Sequence, residues 1–236
     1  MPIIPIIVNK LAPTLATSCA ALPPKRAVVA LGRPGGDASF IYLASQSPRR
    51  RQLLEQLGVR FELLLPGADE DSEALEVALS NEAPAAYVKR VTQLKLDASL
   101  QRLKHRGLPM APILCSDTTV ALGRTLYAKP LDVTDAARML TALSGKTHRV
   151  LTAVALGTAR KRQQALSESR VTFATMSQRQ IRDYVASGES MGKAGAYAVQ
   201  GRAAAFISYI SGSYSGIMGL PMFETAALLR LVGAIV

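Results

Sequence analysis

The stretch 40-FIYLASQSPRRRQLLEQLG-58 reads as strand, tight loop and helix, and the rest of the chain is organised around it. Phe40 to Ala44 is a short apolar run suited to a buried strand, and Ser45-Gln46-Ser47 supplies the turn. Ser47 is a good N-cap, Pro48 fits the first helical position, Leu53, Leu54 and Leu57 share one face, and Gly58 stands where a left-handed cap is wanted. Arg49 and Arg50 then fall in the first turn, beside the positive end of the helix dipole. Cations are disfavoured there unless an anion sits in front of them. Free N–H groups, the hydroxyls of Ser45 and Ser47 and two guanidinium forks would make a polyphosphate cradle, although a solvated helix start carries the same signature.

Composition sets the outer limits. The chain has 236 residues, 49% hydrophobic and 19% charged, which is globular and long enough for a large core. Cys19 and Cys115 are its two cysteines, too few and too far apart for a disulfide framework or a thiolate metal cluster. The net charge of +11 suits nucleic acid, an anionic surface or a phosphate-rich substrate without choosing among them. Aromatic content of 5% argues against a stacking platform for single strands, so nucleic acid is not the expected partner. No segment is long and apolar enough to span a bilayer. Residues 1–38 form an N-terminal extension, expected to be poorly ordered, with four cations before the first acid. An acid-free start is compatible with organellar import, yet its prolines interrupt any long amphipathic helix, and a cytoplasmic location is the simpler expectation.

Further along, Phe61 to Leu65 reads as a second strand ending at Pro66-Gly67, followed by the acidic loop Asp69-Glu70-Asp71. A helical pattern from Pro84 toward Leu103 includes Lys95. Ile113-Leu114-Cys115 is a buried-strand run with Asp117 and Thr118 at its expected C-terminal end, where α/β sheets bind ligands. A hairpin then returns to Lys129, which precedes Pro130 and is therefore held in extended backbone suited to a phosphate contact. Asp132 or Thr134 caps the next helix. Thr147 to Leu156 and Ser169 to Thr175 flank a basic turn, Arg160-Lys161-Arg162, and Ser177 with Gln180 forms a capping box. Residues 188–221 hold seven glycines, with Lys193 and Gln200 the polar groups best placed for a ligand.

These segments also carry a resemblance. LASQSPRR at 43–50, DE at 69–70, SDTTV at 116–120, KP at 129–130, LSGKTHRVLTAVAL at 143–156, YVASGES at 184–190, KAGAYAVQG at 193–201 and GSYSGIMGLP at 212–221 resemble, in order, the Maf family of nucleoside triphosphate pyrophosphatases. The resemblance implies an α/β fold over residues 39–236 with a mixed, twisted sheet flanked by helices and two lobes about a central cleft. It implies hydrolysis of a nucleoside triphosphate to monophosphate and pyrophosphate with a divalent cation, Mg²⁺ first and Mn²⁺ second, by a homodimer. By the same matching Asp117 is the proton acceptor, Glu70 and Asp117 hold the metal, Glu70 and Lys129 join Asp117 in catalysis, and Ser45, Arg49, Arg50, Thr118, Gln200, Lys95 and Lys193 bind substrate. Arg49, Thr118 and Gln200 match the branch similar to dTTP/UTP pyrophosphatases, whose housekeeping role is to clear modified pyrimidine nucleotides. Gln46 and Gly192 depart from the pattern. The alternative expectations are a nucleotide- or nucleic-acid-binding regulator of cell division without turnover, and a purine-directed pyrophosphatase.

Overall fold

The computed structural model describes residues 40–67, 70, 71 and 73–234; the extension at 1–38 and Asp69 of the DE motif lie outside the described residues. The opening stretch folds as read. Strand β1 (Ile41–Leu43) is fully buried, and helix α1 (Pro48–Gln56) starts on Ser47, whose side chain accepts from the Arg50 N–H. Leu53 and Leu54 are its buried face.

Strand β2 (Phe61–Leu63) pairs in parallel with β1 and stops short of the expected Leu65, because Leu64 already turns its side chain into the core and Pro66 cannot donate to a ladder. Helix α2 (Pro84–His105) is long, and buries Tyr87, Val88, Val91, Leu96 and Leu103 against the sheet. Strand β3 (Ile113–Leu122) runs past the expected end, so Asp117 sits in mid-strand. The reason is β5 (Thr147–Gly157), which pairs antiparallel with β3 from Ile113 to Ala121 and carries the strand through the polar residues. On its other edge β3 meets β1 only at Ile113 and Leu114, and β4 (Thr125–Tyr127) only from Val120 to Leu122. Residues 115–119 between them have a strand on one edge alone.

Helix α3 (Val133–Leu143) is capped by Asp132, whose carboxylate accepts from the Asp135 N–H at 2.7 Å. Strand β6 (Arg162–Phe173) begins seven residues before the expected Ser169, since Gln163 to Ser167 continue the β5 ladder, with Gln163 and Gln164 exposed near the hairpin tip and Ser167 buried. Helix α4 (Gln178–Ala186) carries the capping box, Ser177 and Gln180 bonding reciprocally. The glycine-rich segment becomes 3-10 turns at Ala194–Ala196 and Arg202–Phe206, edge strand β7 (Ile207–Ser211) and the short helix α5 (Tyr214–Met218), before α6 (Met222–Arg230).

The sheet order is β2-β1-β3-β5-β6-β7 with β4 on β3, a mixed seven-stranded sheet with helices on its faces. The two lobes expected about the cleft share this one sheet. On one face of the sheet α3 and α4 pack Met139, Leu140, Leu143, Ile181 and Tyr184 against Val150, Val171 and Phe173, and further along the same face Leu53, Leu54, Leu228 and Leu229 of α1 and α6 pack on Leu43, Leu114 and Val154.

His148 on β5 is 1% exposed, and burial pushes its pKa down to about 4 from 6.5. The unfolded chain therefore takes up a proton below pH 6.5 that the folded chain refuses, so stability falls as pH drops from 6.5 toward 4. The slope over that window is worth up to about 3 kcal/mol. In denaturant titrations at pH 7 and pH 4.5, His148→Phe is expected to lose less stability between the two pH values than the parent; equal losses would place the titration elsewhere.

Candidate functional site

The gap in the edge of β3 opens into a cleft of about 490 Å³. Because strand side chains alternate, Ser116 and Thr118 face one side of the sheet and Asp117 the other, and the missing neighbour lets one ligand reach both. On the first side, Arg50 is fixed from three directions. Its Nε donates to the Gly219 carbonyl at 2.7 Å, Nη1 to Ser45 Oγ at 3.4 Å and Nη2 to Thr118 Oγ1 at 3.3 Å. Ser116 donates to the same Gly219 carbonyl and to that of Ala153, each at 2.9 Å. Thr118 in turn shares a hydrogen bond with Thr152, which bonds the Gly216 carbonyl at 2.7 Å. Gly219 adopts φ of +117°, a left-handed conformation, and its position at the helix end aims its carbonyl at Arg50 and Ser116. Among the described residues Arg49 keeps only a 3.3 Å bond to the Met218 carbonyl, so most of its guanidinium is unspent there. The first turn of α1 holds no acid.

On the second side the site is ionic. Lys95 Nζ on α2 lies 2.6 Å from Asp117 Oδ1 and 2.7 Å from Glu76 Oε1. Lys129 approaches Glu76 Oε2 at 3.0 Å and Glu73 at 3.6 Å. Asp117 is 6% exposed, so it meets Lys95 in a setting of low dielectric, where the attraction between the two groups is strong. Glu76 is held below the usual carboxylate range by Lys95 and Lys129 against the opposing effect of burial. Six cations line the cleft, Arg49, Arg50, Lys95, Arg102, Lys129 and Lys193, against Glu73, Glu76 and Asp117. That imbalance suits a polyanion.

Of the residues expected from the sequence, Ser45, Arg49, Arg50, Lys95, Asp117, Thr118, Lys129, Lys193 and Gln200 all line the one cleft. Gln200 makes no side-chain hydrogen bond among the described residues and is free for a ligand, while Lys193 donates to the Met191 carbonyl at 3.3 Å and is pushed down by burial and by neighbouring Arg49. Glu70 is elsewhere. Its carboxylate lies within 2.9 Å of the buried Arg102 guanidinium, accepts from the Gly67 N–H at 3.0 Å and is 3.5 Å from Arg106, in a separate depression on α2. Those partners hold its pKa down to about 2, the Arg102 hydrogen bond foremost. Arg102 therefore takes Glu70 out of the place expected for it, and Glu76, six residues on, stands beside Asp117. The sequence carried only a weak signal for Glu76, as one of several acids ahead of α2. Ser116 and Thr152 were likewise missed, being hydroxyls inside strands that read as core.

An α/β protein with a basic helix-start cradle facing a carboxylate–lysine cluster is a class built to bind anionic phosphate esters. The chain belongs to the Maf family: the profile described as Maf-like protein matches residues 40–232. It is 78% identical over 196 residues to a dTTP/UTP pyrophosphatase of Albidiferax ferrireducens, covering 83% of this chain and 98% of that protein. Proteins of the same name from Polaromonas sp. and Cupriavidus metallidurans are 68% and 62% identical over 196 and 195 residues, each covering 83% of this chain, and 97% and 98% of the respective relative.

Because Arg49 is the less committed of the two guanidinium groups, Arg49→Ala is expected to weaken inorganic pyrophosphate binding about tenfold or more, as loss of a charged hydrogen bond does, with little change in melting temperature. Titration calorimetry on the parent and variant checks this, and equal affinities would remove Arg49 from the phosphate seat.

Proposed function

We propose that this chain hydrolyses nucleoside triphosphates, dTTP and UTP first among them, to the monophosphate and pyrophosphate. The observation that carries the reading is the convergence of Arg49, Arg50, Lys129 and Lys193 with the buried Asp117 in one cleft. Relatives of 62 to 78% identity that bear the name dTTP/UTP pyrophosphatase support the same substrates.

Asp117 is the general base. A water beside it gives up its proton to the carboxylate as its oxygen attacks the α-phosphorus, and the bond from that phosphorus to the bridging oxygen breaks, releasing pyrophosphate with the bond's electron pair. Negative charge grows on the leaving group, and Arg49, Arg50, Lys129 and Lys193 are cations preorganised to receive it. Lys95 bridges Asp117 and Glu76, holding the two carboxylates side by side.

Two carboxylates drawn onto one ammonium position are a donor set that a hard divalent cation fits. The described residues contain no group of three or more such ligands, so Glu76 and Asp117 would hold the ion jointly with phosphate oxygens, a donor set that suits Mg²⁺ first and Mn²⁺ second in this proposal. When bound it neutralises phosphate charge. Glu76 takes the role expected of Glu70.

Thr118 and Gln200 stand on the cleft wall with Arg49 and read the pyrimidine, the free amide of Gln200 offering both a donor and an acceptor. A homodimer in the cytoplasm, clearing modified pyrimidine nucleotides, completes the proposal. Among the described residues no helix is long and apolar enough to cross a membrane.

Pyrophosphate release from dTTP, UTP, CTP, 7-methyl-GTP, ITP and dATP, with Mg²⁺ or EDTA, tests the reading. Metal-dependent turnover of dTTP and UTP is expected, with Asp117→Asn folded and slowed at least about a hundredfold. An unchanged rate in Asp117→Asn would take Asp117 out of the mechanism, and silence on every nucleotide would refute the activity.

A further inference from the structure

Between the phosphate side of the cleft and its far wall runs the strap from Lys193 to Gly201, and its backbone is unusual. Gly195 and Ala196 are consecutive residues with φ of +69° and +60°. Glycine adopts this conformation freely, but alanine does so only where its surroundings enforce it. Ala196 is fully buried, and Gly195 lies so close to Val120 that an added Cβ would come within 2.9 Å of its side chain. The strained turn is thus pressed onto β3 next to the catalytic strand positions.

The residues that follow are clamped from two sides. Tyr197, 6% exposed, shares a 2.9 Å hydrogen bond through its hydroxyl with Nε2 of the buried His148 on β5. His148, Tyr197 and Phe173 at the end of β6 also meet edge to face in a three-ring cluster, with centroids 4.9 to 5.5 Å apart. On the other side the Ala198 N–H donates to the Tyr184 hydroxyl at 3.3 Å, and that hydroxyl donates to Glu189 Oε1 at 2.9 Å. Glu189 Oε2 accepts from the Arg202 N–H at 3.0 Å, and Gly201 leaves the space its carboxylate needs. Buried polar pairs of this kind specify one arrangement, because any other leaves a donor or acceptor unsatisfied. Two residues of the segment so held line the cleft: Lys193 before the turn, and Gln200 between the Ala198 and Arg202 contacts.

We propose that the His148–Tyr197 pair, seconded by Tyr184 and Glu189, is a positioning device that keeps the strained strap in register so that Gln200 meets the pyrimidine edge and Lys193 the triphosphate. None of the four supplies chemistry. They set base selectivity through Gln200, and the inference rests on the pyrophosphatase reading above.

The test must separate positioning from stability. Removing one partner leaves the other buried and unsatisfied, whereas replacing both by rings of the same shape is close to neutral for folding. The double variant His148→Phe with Tyr197→Phe is therefore the informative protein, with Tyr184→Phe as a second route to the same strap. For each, kcat and KM are measured with dTTP and with dCTP, and amide hydrogen exchange is followed across residues 193–202. Both variants are expected to lose about tenfold of the dTTP preference, mainly through KM, as displacement of a positioned group does, with faster exchange confined to the strap. A preference within twofold of the parent in both variants would overturn the proposal, whatever the change in melting temperature. Absence of dTTP turnover in the parent protein would instead refute the pyrophosphatase reading; exchange in the strap would then decide the positioning role alone, faster exchange upholding it and unchanged exchange overturning it.

Discussion

Lys95 stands between Asp117 and Glu76, within 2.7 Å of both, and the architecture of the site depends on that single ammonium. Without it the two carboxylates would face each other with no cation between them. To place the ammonium, the chain needs a long helix, α2, docked on the sheet through Val88, Val91 and Leu96, with Lys95 at its margin. To place Asp117, it needs a strand that continues where its neighbour stops. Strand β5 holds β3 straight over nine residue pairs, while β1 leaves at Leu43 to become the Ser45–Ser47 loop. The same departure that opens the edge of β3 builds the arginine cradle, so the gap and the anion seat are one feature of the chain.

From this follows a division of labour along the cleft. At one end rigid guanidinium groups are tied to backbone carbonyls, Arg50 above all, which gives a charge of fixed position rather than a mobile one. Lys193, beside Arg49, and Gln200 ride instead on a strap whose left-handed turn is enforced by Val120 and by the ring cluster of His148, Phe173 and Tyr197. In the function proposed above, the triphosphate and the base are met by different elements, with the α-phosphorus beside Asp117. The ligand's orientation is then a property of the sheet and not of any one contact.

Much of this was legible in the residues, for reasons that differ by element. The turn into α1 and the capping box of α4 are local chemistry, Ser47 acting on Arg50 and Ser177 on Gln180 three residues on, so they were read without the fold. The length of β3 was not, because its continuation through Ser116, Asp117 and Thr118 is imposed by pairing with Val154, Ala153 and Thr152 of β5, far along the chain. Glu70 and Glu76 show the same limit. Both are acids in one loop, and what separates them is which cation folds nearest, Arg102 for the first and Lys95 for the second. The strap was legible as a glycine-rich segment that must turn sharply, but the left-handed residue without a glycine, Ala196, and its partners on β5 and α4 are long-range facts.

The measurement that bears most directly on this account is hydrolysis of dTTP in water enriched in oxygen-18, followed by mass spectrometry of both products. If the water beside Asp117 attacks the α-phosphorus while the cationic groups hold the departing pyrophosphate, the heavy oxygen appears in dTMP and none in pyrophosphate. Heavy oxygen in the pyrophosphate would mean attack at the β-phosphorus, and would contradict the orientation of the nucleotide on which the assignment of every residue in the cleft depends.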